Sequence, residues 1–127
     1  MQDRVLNMWT FRGFDIIGHK WVYGDLVHNK KVTQTGLEDR VMVGGYEVAP
    51  ESVGILVGRT DDMGENLYEG DVCSISCYGR TLYAEIVYLG SKGAFYYKAK
   101  SLVVPMDFAS SSIKKGNVYQ NVDLLDR

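Results

Sequence analysis

The chain has little of what staples, metal centres and membrane anchors are built from: its 127 residues include two cysteines, two histidines and two prolines. Two cysteines do not make a disulfide framework, and a domain of this length buries roughly two-thirds of the surface its unfolded chain exposes, enough to fold without one. No apolar run reaches the roughly 18 residues of a membrane span. The opening Met1-Gln2-Asp3-Arg4-Val5-Leu6-Asn7-Met8 lacks the continuous apolar core of a signal peptide, so the chain is expected inside the cell, in a reducing cytoplasm. Neither sign of charge dominates: 14 Lys and Arg against 16 Asp and Glu leave a formal net charge of -2. Coating nucleic acid by bulk electrostatics needs a strongly basic face to release counterions, so this balance leaves room only for a local basic patch.

What is present is β-prone. Val and Tyr are abundant, 14 glycines punctuate the chain, and the 46% hydrophobic and 24% charged fractions are those of an ordinary globular protein. The runs predict strands over 6–14, 20–28, 41–48, 54–58, 71–77, 81–89, 94–99 and 116–119, joined as antiparallel hairpins. Gly90-Ser91-Lys92-Gly93 is the clearest hairpin connection, since its glycines can take positive φ. Asp61-Asp62-Met63-Gly64-Glu65-Asn66 reads as an exposed β-turn. Pro105 to Ala109 predicts one helical turn, and Gln120 to Leu125 another, or a docked tail burying Leu124 and Leu125. There is no internal repeat and no linker. A boundary near Gly58 would divide lobes of one unit rather than separate domains.

The residues that could carry chemistry read more simply as structure. Asp61, Asp62, Glu65, Glu69 and Asp71 offer oxygen ligands, but not in the alternation of a calcium loop, so a solvated turn is expected. Cys73 and Cys77 fall with Ile75 on one face of a strand, about 13 Å apart, too far to share a metal or a disulfide; they are expected in the core. His19 and His28 have no nucleophile or ligand partners at a marked spacing. Ser110-Ser111-Ser112 reads as a polar loop without the Gly-x-Ser-x-Gly elbow of a serine nucleophile. The glycines match neither phosphate-binding fingerprint. An enzyme is therefore not expected, and no cofactor or metal is. Asp25 and Asp71 each follow a glycine and are expected to accept backbone N–H bonds at strand starts.

One hairpin could bind a partner. Tyr83, Tyr96, Lys98 and Lys100, flanked by Arg80 and Lys92, combine aromatic faces that stack on bases with cations that track phosphates. Strand alternation puts Tyr96, Lys98 and Lys100 on one face and Phe95, Tyr97 and Ala99 on the other, which belongs to the core.

Three segments carry a family resemblance: Trp21-Val22-Tyr23-Gly24-Asp25-Leu26, the long Gly54-to-Val72 stretch with Asp61-Asp62-Met63-Gly64 and Tyr68-Glu69-Gly70-Asp71, and Gly116-Asn117-Val118-Tyr119 running on to Leu125. The chain resembles the YopX-like proteins of phages, prophages and mobile elements. The positions that match are Trp21, Tyr23, Gly24, Asp25, Gly54, Gly58, Asp61, Gly64, Tyr68, Glu69, Gly70, Asp71, Gly116, Asn117 and Tyr119. Arg59, Met63 and Val122 depart from the family pattern, each beside a turn or the tail. The resemblance implies a small, mainly β single domain over 1–127, with an N-terminal β lobe over about 1–58, an SH3-like β-barrel over about 59–127 and short helical turns.

The resemblance implies a phage or prophage setting in a bacterial host cell but no agreed biochemical activity; the leading expectation is a non-enzymatic accessory protein acting through a binding surface on a host or phage protein. A homo-oligomer is a second expectation, since Val41-Met42-Val43-Gly44-Gly45-Tyr46 is a weakly charged segment that could pair along a strand edge. The alternative is a nucleic-acid-binding module using the basic aromatic hairpin. The remotest is an enzyme with a site assembled from Asp25, His28, Glu69 and Asp71.

Overall fold

A computed structural model describes residues 10–126. The chain is mainly β, its strands arranged in three antiparallel sheets with short 3₁₀ turns between them. The described residues fall into two compact units, the first ending at Leu56 and the second beginning at Val57. No described helix is long and apolar enough to cross a membrane.

The first unit holds β1 (Phe11–Phe14), β2 (Trp21–Gly24), β3 (Leu26–Thr33), β4 (Gly36–Val43), β5 (Tyr46–Val48) and the start of β6 (Gly54–Thr60). Strand β1 pairs with β2 from Phe11↔Gly24 to Phe14↔Trp21, and on its other side with β6 at Phe11↔Ile55 and Arg12↔Gly54. A long hairpin joins β3 to β4, from Leu26↔Val43 out to Thr33↔Gly36, and β5 pairs with β4. The small core is Val22, Val43 and Val48, with Phe11, Leu26, Val41 and Val53 around it. Gly44 has φ +60°, and a Cβ there would lie 2.4 Å from the Tyr23 carbonyl oxygen, so glycine alone fits this approach of the β4–β5 turn to β2.

Two expected strands are each two. The run 20–28 breaks at Asp25 into β2 and β3, and 41–48 turns at Gly44-Gly45 between β4 and β5. Val41–Val43 therefore lies in the middle strand of its sheet, bonded to β3 on one side and β5 on the other. That removes it as an open edge for assembly. The expected strand over 6–14 is described only from residue 10; residues 6–9 lie outside the described residues.

The second unit holds the end of β6 with β7 (Asn66–Tyr68), β8 (Asp71–Cys77), β9 (Arg80–Leu89), β10 (Ala94–Ala99), β11 (Leu102–Pro105) and β12 (Ser111–Asn117). Strands β8 to β11 form a meander, a 3₁₀ turn follows at Met106–Phe108, and β12 returns to pair with β8, giving the order β11-β10-β9-β8-β12. The inward faces alternate as period-2 strands must: Cys73, Ile75 and Cys77 of β8, Ala84 and Ile86 of β9, Tyr97 and Ala99 of β10, with Leu67, Val104 and Met106. Ser111 and Ser112 lie in β12, opposite Ser76 and Ile75, so of the expected serine loop only Ser110 stands outside the strand. A second 3₁₀ turn, Val122–Asp126, carries the half-buried Leu124 and Leu125, and a Cβ on Gly116 would come within 2.5 Å of the Asn121 side chain, so the tail is docked on β12.

Candidate binding groove

The residues of the long family-like stretch hold the second unit together. Asp61 is 5% exposed, not solvated as the turn reading expected. Its Oδ1 accepts the N–H groups of Met63 and Glu65 at 3.0 and 2.9 Å, and its Oδ2 accepts that of Lys114 at 2.8 Å. Burial pushes the carboxyl pKa up, but those N–H bonds and the Lys114 charge outweigh it and hold Asp61 below its ordinary value. Asp71 is wholly buried; its Oδ2 accepts the Tyr68 N–H at 2.7 Å and lies 3.3 Å from Lys114 Nζ, which also donates to the Asn66 carbonyl at 2.6 Å. Gly70, at φ +94°, donates to Ile86 and accepts from Val118. Asn117 Oδ1 accepts the Gln120 N–H and so caps the start of the tail. Carboxylates at these positions satisfy backbone N–H groups that would otherwise be stranded in the fold.

Beside this framework lies an open furrow made of two hollows, of about 280 and 320 Å³, which share Arg59, Met106 and Asp107. The larger is walled by Val57, Phe95, Tyr96 and Pro105. The smaller has a floor of buried Leu67, Tyr97 and Met106 and a polar rim of Thr60, Asp62 and Ser110–Ser112. Arg59 and Asp107 form an ion pair between them. Arg59 and Asp107 are both largely exposed, so the bridge is screened and can yield to another charged group. Asp62 accepts the Ser112 N–H at 3.1 Å, and the buried Tyr97 hydroxyl pairs with Ser112 Oγ at 2.6 Å. Burial raises the Tyr97 pKa, partly offset by that bond.

Sequence reasoning found Tyr96 but missed this furrow, because Arg59 and Asp107 are 48 residues apart and no spacing marks them as neighbours. The other residues of the expected basic hairpin do not converge. Arg80 begins β9, whereas Lys92 sits in the connection beyond its end, which for a ten-residue strand is about 30 Å away. Tyr83, Tyr96 and Lys98 lie toward one face as alternation requires, while Lys100 is not in the strand but in the turn after it, at φ +54°, and Lys98 is opposite Glu85, whose carboxylate stands among them. Burial pushes the Glu85 pKa up, Lys98 lowers it and Glu69 raises it again.

Cys73 and Cys77 are free and buried, and desolvation pushes the Cys73 thiol up to about 11. His19 and His28 are exposed in the first unit, with Asp25, while Glu69 and Asp71 belong to the second. Among the described residues no three His, Cys, Asp or Glu side chains gather to hold a metal ion.

No curated protein sequence matches the chain. The crystal structure of protein EF1440 from Enterococcus faecalis is similar in fold, with a TM-score of 0.55 and 19% identity over 91% of this chain and 96% of that one. The buried Asp61 and Asp71, the Gly70 turn and the Gly116–Asn117 anchor all fall inside the region, residues 10–126, that matches the family model described as YopX protein, and the chain belongs to the YopX family.

Proposed function

We propose that this chain is a non-catalytic accessory protein of a phage or prophage that works in the host cytoplasm by binding a host or phage protein, and that it assembles with itself. The phage setting rests on the family resemblance, and the cytoplasmic location on that setting together with two buried, free cysteines that suit a reducing compartment. The observation that supports binding is the furrow: two hollows side by side, with an apolar and aromatic wall and a polar rim, around an exposed ion pair that a partner's charges can displace. A furrow open along its length suits an extended protein segment better than a small enclosed ligand. The second unit is read as an SH3-like barrel, for which the β8–β11 meander, the 3₁₀ turn and the return of β12 to β8 are the support.

The test begins with a tagged chain expressed in its native host during phage growth, cross-linked, and recovered with and without nuclease. The recovered protein is then purified and titrated against the wild type and a Tyr96→Ala/Asp107→Ala variant. The expected result is a nuclease-resistant partner whose affinity falls at least about tenfold in the variant, the range of a centrally placed contact. Equal affinities would remove the furrow as the site. Recovery of nucleic acid with only nuclease-sensitive proteins would move the Lys98–Lys100 hairpin to first place.

A further inference from the structure

Strand β11 is an end strand, bonded among the described residues to β10 alone, through Ala99↔Leu102, Lys98↔Val103, Tyr97↔Val104 and Tyr96↔Pro105. Ala99 and Leu102 close a two-residue turn, so theirs is a bonded pair, and antiparallel alternation then makes Lys98↔Val103 and Tyr96↔Pro105 non-bonded pairs. Pro105, which has no N–H to give, fits that register. The N–H and C=O of Val103 consequently point away from β10, toward the open side. Native proteins usually blunt such an edge with charge or cover it. By contrast, the lysines Lys30 and Lys31 stand on β3, the end strand of the β3-β4-β5 sheet, whereas β11 has no charge anywhere between Lys100 and Asp107 and leaves Leu102 and Val103 exposed by 37% and 42%.

We infer that β11 is the edge through which two copies of this chain pair, antiparallel, about a two-fold axis at Val103. This rests on the self-assembly part of the function proposed above and names its surface. Pairing Val103 with Val103 of the second copy exchanges two hydrogen bonds, and Ser101 then stands opposite Pro105, whose carbonyl accepts the Ser101 N–H on each side, for about four bonds in all. The register brings no like charges together. It sets each Lys100 opposite the start of the other copy's Met106–Phe108 turn, where Asp107 is 78% exposed. Phe108, 59% exposed at the same end, adds apolar surface to a contact that is otherwise short.

The test is sedimentation equilibrium of the full chain over a concentration series reaching high micromolar, with two variants. Val103→Pro removes the outward N–H but none of the bonds to β10, and Val103→Lys sets two cations face to face. The expected result is a wild-type dimer and, for both variants, dissociation constants raised at least tenfold while circular dichroism is unchanged. If Val103→Pro does not fold, Val103→Lys alone carries the comparison. A dimer that neither variant weakens overturns the β11 edge and leaves self-assembly standing. A wild-type monomer at the highest concentration overturns both.

Discussion

At the scale of single residues, this fold depends on two buried carboxylates, Asp61 and Asp71. Asp71 is wholly buried and serves both the Tyr68 N–H and the Lys114 ammonium, which is itself only 20% exposed. Removing one partner of such a pair leaves a poorly solvated charge and an orphaned donor. Asp71→Ala is expected to cost about 3 kcal/mol or more, read as a lower urea midpoint with little change in slope. Asp61 makes a prediction about pH. Its folded pKa lies below the unfolded value near 3.8, so the stability it contributes is present above that value and is lost as the pH falls through the lower, folded one. Thermal melts of the wild type should therefore weaken steeply below about pH 4. Asp61→Asn should be less stable at neutral pH and should lose less on acidification; parallel curves for the two proteins would show that other carboxylates govern acid unfolding.

At the scale of elements, the turns decide where strands end. The β8–β9 connection is the two residues Tyr78-Gly79, with φ of +53° and +73°, the geometry of a type I′ turn. Glycine adopts it freely, while a tyrosine there is strained and, at 70% exposed, recovers little by packing. Tyr78→Asn is expected to raise stability by about 0.5–1 kcal/mol, measured by denaturant titration, because asparagine tolerates the left-handed region better. Strands β8 and β10 are legible to the residue: β8 lies between Gly70 and Gly79, and β10 runs from Gly93 to the Lys100-Ser101 turn. Strands β4 and β5 were read as one, because Val41 to Val48 stays β-prone across Gly44-Gly45 and only the close approach to Tyr23 shows that the chain reverses there. Strand β11 is not legible because Leu-Val-Val-Pro has no alternation, and of β12 only Gly116 and Asn117 fall in the strand expected over 116–119, because serine and lysine have weak strand preference until β8 supplies their partners.

At the scale of the whole molecule, the two cysteines report on the integrity of the second unit. Both lie at its centre, and burial raises the Cys73 thiol to about 11, so little thiolate forms near neutral pH and access requires opening. Alkylation at pH 8 should be negligible in the native protein and should rise with denaturant along the unfolding curve; rapid native labelling would mean that this core opens locally.

Composition and pattern by themselves determined that the chain is mainly β, that Cys73, Ile75 and Cys77 share a buried face, and that Phe95, Tyr97 and Ala99 turn away from Lys98. These are consequences of a two-residue period, which any strand expresses wherever it lies. Tertiary structure alone decided that Asp61 is buried, that Arg59 meets Asp107 across a furrow and that β11 is left at an edge. Burial, ion pairing and edge position depend on which distant strands come together. That is set by the packing of the second unit's core, a sum over many weak contacts that no local spacing records.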